Sequence, residues 1–354
     1  IFNTRNSGGV PVRGLAVRLT SPVFLAPSLN QTELPVELRG LFYPQNLPSI
    51  VVGACLDPEP GDRVVDLCAA PGGKATHAAA IMLRKARARG EEVTGVVIAL
   101  DKAAQKVERI MDAARGVGVR HLHAFRADSA NTRRLLAPKD RDVAQSVDDF
   151  ERAVGLIQGS ATPAASWFED LGAKVEVCPA LPQESFDCVI CDPPCSGLGI
   201  RPRLDVSEST PKVRRARSVL FFVIQKIWRA NKEILSLLSC VPQAFEDFAS
   251  FQRKILRTAV KLVKVGGTLT FSTCTIDPLE NEFNVRYLLD NFPLRLVRPE
   301  PKLGKAGLET SPLSIEEREF VQRFDPVGDD VGFFCAKFIK LESDCTYSTA
   351  GNGE

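Results

Sequence analysis

The chain has 354 residues, of which 44% are hydrophobic and 25% are charged, and its formal net charge is +2. This composition is typical of a globular protein with one large core or two smaller ones. No apolar run reaches the roughly 20 residues that a membrane span requires, so we expect no transmembrane helix. Because the total charge is close to neutral, any binding of nucleic acid would depend on local basic patches.

The chain begins at Ile1 and not at Met, so we expect a piece of a longer protein. No basic and apolar signal peptide is found at its start. Its ten cysteines do not suggest the disulfide framework of a short secreted domain, because several lie in apolar, strand-like runs. We therefore expect reduced thiols and a cytoplasmic location, with the nucleus as the alternative.

Strand and helix signals alternate through the middle of the chain. Five β-rich runs are predicted strands: 63–67, 94–101, 121–127, 186–191 and 267–274. Helical stretches follow the first two strands and precede the last one. Such alternation predicts an α/β fold with a mostly parallel, doubly wound sheet and helices on both faces.

Two segments interrupt this alternation. Residues 137–185 are far longer than the usual connection of about two to six residues, and we interpret them as an insertion with one helix near 146–157. Residues 236–250 are interpreted as a smaller insertion. The tail, residues 343–354, is polar and rich in Gly, Ser and Thr, and we predict that it is disordered.

Four predicted strands end at or next to an aspartate, and the fifth ends at a cysteine: Asp66, Asp101, Asp128, Asp192 and Cys274. Ligands of open α/β sheets bind at the carboxyl ends of the strands, so these side chains are predicted to share one edge. Taken singly, each aspartate is typical of a cap or turn residue. The functional interpretation therefore depends on their shared edge.

The loop CAAPGGK, residues 68–74, joins the first strand to a helix, where glycines let a ligand approach the backbone. Its spacing does not match the phosphate-binding pattern G-x-x-x-x-G-K-[ST], because Cys68 takes the place of the first glycine and Ala75 that of the last residue. The dinucleotide pattern G-x-G-x-x-G is also missing, which disfavours a nicotinamide oxidoreductase. A glycine turn without a ligand remains open at this point.

Cys188, Cys191 and Cys195 superficially suggest an iron–sulfur or zinc site. Because side chains alternate along a strand, Cys188 and Cys191 are predicted to point to opposite faces, where they cannot share a metal. We expect both to pack in the core and only Cys195 to reach the ligand edge. The three histidines are too few and badly placed for a metal centre, so no metal is predicted.

Three stretches resemble motifs of the NOP/Sun family of RNA cytosine-5 methyltransferases, and they occur in the family's order. DLCAAPGGKATH (66–77) is similar to the first motif, CDPPCSGLGIRP (191–202) to the fourth and FSTCTIDPLENE (271–282) to the sixth. Three further stretches are similar to the member-six type, which carries a PUA RNA-binding domain ahead of its catalytic domain: YPQNLPS (43–49), RFDP (323–326) and GFFCAKF (332–338).

The resemblance implies a Rossmann-like, S-adenosylmethionine-dependent methyltransferase fold over residues 21–342, with residues 1–20 as the truncated C-terminal remnant of a PUA domain. It implies methylation of carbon 5 of a cytosine in RNA. The expected substrate is the acceptor region of tRNA, with messenger RNA as a second target, and the expected state is a monomer. The insertion at 137–185 departs from the family's pattern but touches none of its motifs.

Cytosine-5 methylation requires a thiolate that attacks carbon 6, a methyl donor, an acid or base and a pocket for an extruded base. Cys274 fits the nucleophile because it ends a strand at the ligand edge. The resemblance implies that Lys74 lowers the pKa of this thiol, that Asp192 holds the cytosine edge and assists proton transfer, and that Cys195 assists product release.

For the cofactor, the resemblance implies that Asp101 holds the ribose hydroxyls, that Asp128 lies near the adenine amino group and that Asp192 borders the same site. The glycine loop is expected to wrap the methionine portion with seven residues: Cys68, Ala69, Ala70, Pro71, Gly72, Gly73 and Lys74.

Residues 201–232 combine many basic residues with apolar residues at helical spacing, which indicates an amphipathic helix with a basic flank. A charge run is usually a solvated face, but this one directly follows the active-site loop. We interpret five of its arginines as RNA contacts: Arg201, Arg203, Arg214, Arg215 and Arg217. Single-stranded or splayed RNA is the expected target, because the base must leave its stack.

Two other functions remain open from the sequence. A DNA cytosine-5 methyltransferase would use the Pro-Cys cysteine, Cys195, as its nucleophile and would leave Cys274 idle. A catalytically inactive module that binds S-adenosylmethionine and RNA would have a degenerate site, whereas no motif residue is missing here.

Overall fold

The structure, a computed structural model, describes residues 42–138, 142–153, 175–200, 242–325 and 331–342, together with the backbone of four short strands nearer the N-terminus. Three sets of residues with sequence predictions lie outside the described residues: the arginines expected to contact RNA, the rest of the 201–232 segment and the 343–354 tail.

Five short strands precede the first helix: β1 (Phe2–Arg5), β2 (Pro11–Gly14), β3 (Ala16–Val17), β4 (Val23–Leu25) and β5 (Phe42–Pro44). The first two form an antiparallel pair, and the other three form a separate small sheet. The PUA remnant expected at residues 1–20 stays a prediction, because ladders this short occur in many folds.

The remaining elements run in this order: α1 (Leu47–Leu56), β6 (Arg63–Asp66), α2 (Gly73–Arg89), β7 (Val96–Asp101), α3 (Ala104–Gly116), β8 (Leu122–Arg126), α4 (Thr132–Leu135), α5 (Val143–Ala153), β9 (Phe186–Cys191), α6 (Pro242–Leu262), β10 (Val263–Thr273), α7 (Glu282–Asn291), β11 (Leu294–Val297), α8 (Ile315–Glu319), β12 (Val321–Phe324) and β13 (Phe333–Lys340). All five strands predicted from the sequence are present, which confirms the predicted alternation.

The main sheet has the order β11-β13-β10-β9-β6-β7-β8, and β12 pairs with β13 beside β11. Five adjacent strands of this sheet are parallel to one another, in the order β10, β9, β6, β7 and β8. Strand β13 runs antiparallel to β10. From β6 the chain first winds outward through β7 and β8, and it then returns to β9 and β10 on the other side. The junction of β6 and β9 is therefore a topological switch point, where sheets of this type bind their ligands.

The two faces of β9 pack into different core layers. Val189 and Cys191 contact the layer that includes residues of α6 and α7, whereas Cys188 and Ile190 contact the layer of α2 and α3. This confirms the prediction that Cys188 and Cys191 point to opposite faces. Within the described ranges, no three His, Cys, Asp or Glu side chains are grouped as metal ligands, and none of the helices is long and apolar enough to cross a bilayer.

The predicted insertions are described in part. Helix α5 lies within 137–185, and this segment then returns along the open edge of the sheet, where Val177 forms a parallel bridge with Arg126 of β8. Residues 242–250, which fall within the predicted 236–250 insertion, form the first turns of α6. This helix contacts both β9 and β10.

Candidate active site

The carboxyl edge of the parallel strands carries three aspartates in the same local structure. The Oδ1 atom of each accepts a hydrogen bond from the backbone N–H two residues further on: Cys68 to Asp66 (3.2 Å), Ala103 to Asp101 (3.1 Å) and Ala130 to Asp128 (3.2 Å). A short acidic side chain placed just after a strand stabilises the turn toward the next helix in this way. Each aspartate is therefore a turn residue and also lies at the shared edge.

The glycine loop is fixed between β7 and α3. Ala69 donates its N–H to the carbonyl of Leu100 at 2.8 Å. Gly72 is the N-cap residue of α2 and has a φ of 110°. A Cβ atom at Gly72 would lie 3.1 Å from the Cβ of Ala113 and 3.2 Å from the Cα of Ile110. Glycine is therefore required here both by the left-handed backbone and by the close approach of α3.

Asp66 lies beneath this loop with an exposed fraction of 1%. Burial raises the pKa of its carboxyl to about 7, although the nearby charge of Lys74 opposes the rise. Its Oδ2 atom has no hydrogen-bond partner among the described residues. A buried acceptor without a partner is costly, and it marks a position where a polar ligand would be stabilised.

Lys74, the second residue of α2, reaches across the switch point to Asp192, which follows β9. The two form an ion pair and hydrogen bond through Oδ2, while Oδ1 of Asp192 accepts a hydrogen bond from Ser272 of β10 at 3.0 Å. Burial lowers the pKa of Lys74, but the charge and hydrogen bond of Asp192 outweigh it, and the pKa is raised. The ammonium also lies 5.4 Å from the ring centroid of Phe333. Lys74 is therefore a fixed positive charge in the site.

The two thiols expected at the edge are in contact. Cys195 lies in the loop after β9 and Cys274 directly follows β10, and their Sγ atoms are 3.2 Å apart. The hydrogen bond between them lowers the pKa of Cys274 and raises that of Cys195. The charge of Lys74 also lowers the pKa of Cys274, the role that the resemblance implies for it, whereas burial and the charge of Asp192 raise it. The contact between the two sulfurs therefore favours ionisation of Cys274 over ionisation of Cys195.

A backbone crossing holds the two thiol loops together. Gly199 donates its N–H to the carbonyl of Cys274 at 3.0 Å, and Gly332 donates to the carbonyl of Gly199 at 2.8 Å. A Cβ atom at Gly199 would lie 1.9 Å from the carbonyl oxygen of Gly332 and 2.8 Å from that of Cys274. Only glycine fits here, because the surrounding atoms are backbone and cannot rotate away.

A buried polar network supports the loop that carries Cys195. The Oε2 atom of Glu280 accepts hydrogen bonds from the backbone of Ser196 at 3.0 Å and from the amide of Gln252 at 2.7 Å. The same amide donates to the carbonyl of Pro194 at 3.1 Å, and Asn284 donates to Gln252 at 2.8 Å. Gln252, Glu280 and Asn284 are fully buried. They fix the residues on both sides of the thiol.

The segment after Cys274 is fixed by a buried ion pair. Arg323 of β12 donates to both carboxylate oxygens of Glu282, at 2.5 and 2.6 Å, and to the carbonyl of Ile276 at 3.0 Å. Bidentate geometry of this kind satisfies both partners, which a buried pair requires. Arg323 belongs to the RFDP stretch and Glu282 ends the FSTCTIDPLENE stretch, but their pairing was not predicted.

Most of the predicted site residues are brought together. The 68–74 loop, Asp101 and Asp128 lie on one side of the switch point, and Asp192, Cys195 and Cys274 lie on the other, with Lys74 joining the two sides. The sequence reasoning missed Ser272, Gln252 and Glu280. The alternation of side chains along β10 could have indicated Ser272 as a site residue. Ser272 precedes Cys274 by two residues, so the two side chains are expected on the same face.

The chain was also compared with known proteins. A family model described as 16S rRNA methyltransferase RsmB/F matches residues 53–148 and 226–339. The tRNA (cytosine(72)-C(5))-methyltransferase NSUN6 of Mus musculus is 32% identical over 97% of this chain, and that of Homo sapiens is 34% identical over 95%. The chain spans 60% of the length of each of these two relatives.

The solved structures agree with the fold. The crystal structure of NSun6 from Pyrococcus horikoshii with SFG superposes with a TM-score of 0.55 and 25% identity, covering 90% of this chain and 57% of that chain. The sheet order and the matched residues thus identify the same methyltransferase fold.

Proposed function

Because the chain belongs to the RsmB/F family of methyltransferases, the NOP/Sun family that its motifs resemble, we propose that it methylates carbon 5 of a cytosine in RNA with S-adenosylmethionine as donor. The observation that carries this proposal is the 3.2 Å contact between the Cys195 and Cys274 thiols, beside the Lys74–Asp192 ion pair. Carbon 5 of cytosine is a poor nucleophile until a thiolate adds to carbon 6, and this cluster provides one polarised thiol together with a proton-holding partner.

In this proposal Cys274 attacks carbon 6. Its pKa is lowered by the Cys195 hydrogen bond and by the charge of Lys74, so that more of the thiol is ionised near neutral pH. The new carbon–sulfur bond takes the place of the ring double bond, and carbon 5 then becomes nucleophilic toward a methyl group. Asp192, held by Lys74 and Ser272, is positioned to accept hydrogen bonds from the amino edge of the base.

Release of the product requires removal of the proton on carbon 5, after which the Cys274–carbon bond breaks and aromaticity returns. The Sγ atom of Cys195 contacts that of Cys274, and in the resting pair its raised pKa favours the protonated thiol. Once Cys274 is bonded to the base, the hydrogen bond that raises the pKa of Cys195 is lost, so Cys195 can give its proton to solvent. Its thiolate would then take the proton from carbon 5 as the Cys274–carbon bond breaks, which is the release role that the resemblance implies.

The residues present fit S-adenosylmethionine. A partnerless buried carboxylate oxygen, a loop whose glycine excludes side-chain atoms and two strand-end carboxylates form a suitable set for a ligand with an amino group and ribose hydroxyls. The backbone of 68–74 would hold the methionine portion, Asp101 the ribose and Asp128 the adenine side. When bound, the cofactor supplies an electrophilic methyl group. The related archaeal structure was determined with SFG, an analogue of this cofactor.

The names of the relatives support tRNA as the substrate, since those of mouse, human and Pyrococcus horikoshii are described as tRNA (cytosine(72)-C(5))-methyltransferases. We infer the acceptor region of tRNA as the main target and messenger RNA as a second one. We further infer that the chain acts as a monomer in the cytoplasm or nucleus, and that residues 1–20 are the C-terminal remnant of a PUA domain.

A DNA methyltransferase with Cys195 as nucleophile is the second candidate. The raised pKa of Cys195 and the lowered pKa of Cys274 disfavour it, because a nucleophilic thiol must ionise. An inactive binding module is likewise disfavoured, because the ion pair and the two thiols are in contact.

The proposal is tested with the purified chain, a tritium-labelled methyl donor and an unmodified tRNA transcript, with a DNA oligonucleotide of the acceptor-stem sequence as the matched control. We expect label in the transcript, located at carbon 5 of cytosine by bisulfite sequencing, and none in the DNA. Labelled DNA, or bound cofactor without methyl transfer to any RNA, would contradict the proposal.

A further inference from the structure

A basic cleft lies between α4 and α6, on the face of the sheet opposite α2 and α3. Its volume is about 960 Å³. The lining includes Arg133 of α4 and Lys254, Arg257 and Lys261 of α6, with Phe251 at one end. We call this the α4–α6 cleft. It is separate from the thiol pair and from the glycine loop.

The cleft is positively charged because of the way α6 packs. Ile255, Leu256 and Ala259 are buried in the core, and this turns Lys254, Arg257 and Lys261 outward on one face of the helix. Among the described residues that line the cleft, Asp128 is the only acidic one, and it already pairs with Lys102 at 2.8 Å.

None of the four cations in the cleft forms an ion pair within the described part of the chain. Some cations elsewhere do pair with at least one carboxylate, such as Lys85, Lys264 and Arg286, so the feature of the cleft is that several unpaired cations lie together. A row of exposed cations without carboxylate partners is the charge pattern that attracts a polyanion.

The cleft begins next to the catalytic centre. Helix α6 runs antiparallel to the parallel strands, so its first half lies near their carboxyl edge. Gln252 contacts the carbonyl of Pro194 at 3.1 Å, beside Cys195, and Phe251 at the end of the cleft is the adjacent residue. From Phe251 to Lys261 the helix rises about 15 Å, a length that exceeds a single nucleotide.

We propose that the α4–α6 cleft binds the phosphodiester backbone of the RNA strand that flanks the target cytosine, so that the strand leaves the catalytic centre along α6. This inference rests on the proposed function, because it takes RNA as the substrate. The row of unpaired cations along α6, and the position of Phe251 next to Gln252, which contacts the Cys195 loop, favour an extended anionic chain over an isolated small anion. Phosphate contacts of this kind position a strand without reading its sequence.

The test compares two triple variants with the same loss of charge. Lys254→Ala/Arg257→Ala/Lys261→Ala removes the α6 row. Arg109→Ala/Arg120→Ala/Arg295→Ala removes three exposed arginines that lie outside the cleft and form no ion pair among the described residues. The affinity for a fluorescein-labelled 20-nucleotide single-stranded RNA is measured by anisotropy over a series of salt concentrations. The affinity for S-adenosylmethionine is measured by calorimetry, and thermal melting checks the fold of both variants.

We expect the α6 triple variant to bind the RNA about 10-fold or more weakly, and the slope of log affinity against log salt to fall by about 2, since each lost phosphate contact on a single strand contributes about 0.7. The control triple variant should stay within about 2-fold of the wild type, and both should bind the cofactor normally. Equal RNA affinity and salt slope in the two variants would overturn the inference.

The outcome also separates this inference from the proposed function. A wild-type chain that methylates the tRNA transcript, combined with an α6 triple variant that matches its control, contradicts the cleft alone. A wild-type chain that neither binds nor methylates RNA contradicts both proposals together.

Discussion

The two halves of the carboxyl edge are held together by different kinds of contact. On the side of β6, β7 and β8, Asp66, Asp101 and Asp128 each bond the backbone two residues further on. On the side of β9 and β10, Cys195 and Cys274 are 79 residues apart, and Ser196 and Glu280 are 84 apart. The cofactor half is therefore built from local turns, whereas the catalytic half depends on tertiary packing. Substitutions in the two halves should fail in different ways.

The largest expected effect is that of Cys274→Ala. Without the thiolate, no covalent bond to carbon 6 forms, so methyl transfer and the protein–RNA adduct should both fall to background. Cys195→Ala should instead accumulate an adduct that survives denaturing electrophoresis, because the attacking thiol remains and release is impaired. Cys178→Ala, at a half-buried thiol elsewhere, is the matched control. Full activity of Cys274→Ala would show that the roles are wrongly assigned.

Gly199→Ala tests the backbone crossing of the catalytic half. The added Cβ would overlap the carbonyl of Gly332, so we expect about 3 kcal/mol of lost stability, as for severe overpacking, and a loss of methyl transfer as the thiols separate. Gly116→Ala is the control, since nothing lies within 4 Å of the corresponding Cβ. Urea unfolding and initial rates measure the two effects. If both alanine variants unfold at the same urea concentration, the crossing is less tight than described.

These contrasts also explain what the sequence was able to predict. The strand-end aspartates, the 68–74 loop and the opposite faces of Cys188 and Cys191 follow from local spacing and from the period of a strand, and the structure shows each of them. The support of Glu280 by Gln252 does not follow, because spacing along the chain does not indicate which buried polar side chains will meet. The helical state of residues 242–250 does not follow from the sequence pattern either, and the structure shows that they begin α6.

Two single substitutions, one in each half of the carboxyl edge, test whether the halves act separately. Gln252→Ala removes the amide that supports the Cys195 loop, and a shift of about 1 Å in a reacting group lowers a rate by about 100-fold. We expect kcat to fall by about 10- to 100-fold, with unchanged affinity for S-adenosylmethionine. Asp101→Asn should instead weaken cofactor binding by about 10-fold, because the charged acceptor is replaced by a neutral amide oxygen, which forms a weaker hydrogen bond. Calorimetry with the cofactor and single-turnover rates at saturating cofactor distinguish the two defects.

If both variants weaken cofactor binding equally, the two halves are coupled and the comparison fails. Asn284→Ala provides a second test of the same network, since it removes the donor to the carbonyl oxygen of Gln252 and not the support of the loop itself. Its effect on kcat should lie between those of the wild type and Gln252→Ala, again with normal cofactor affinity.

The last expected effect is on the pH dependence of stability and not on the rate of methyl transfer. Burial raises the pKa of Asp66 from 3.8 to about 7, so between these values the unfolded chain ionises this carboxyl while the folded chain keeps its proton. The group's contribution to the free energy of unfolding therefore falls as pH rises from about 4 to 7, by at most about 1.4 kcal/mol per pH unit, and is constant above that range. Asp66→Asn should remove this slope.

His77 and His123 impose the opposite trend, because burial lowers the pKa of each to about 4 and the unfolded chain takes up their protons as pH falls below about 6.5. Both histidines are present in the wild type and in Asp66→Asn, so their contribution cancels when the two unfolding free energies are subtracted. Urea unfolding at pH 4.5, 6 and 8 should then show the difference, variant minus wild type, increasing with pH. A difference that stays constant between pH 4.5 and 8 would show that the carboxyl of Asp66 is already ionised in the folded chain at pH 4.5. The pKa of Asp66 would then not be raised by its burial beneath the glycine loop.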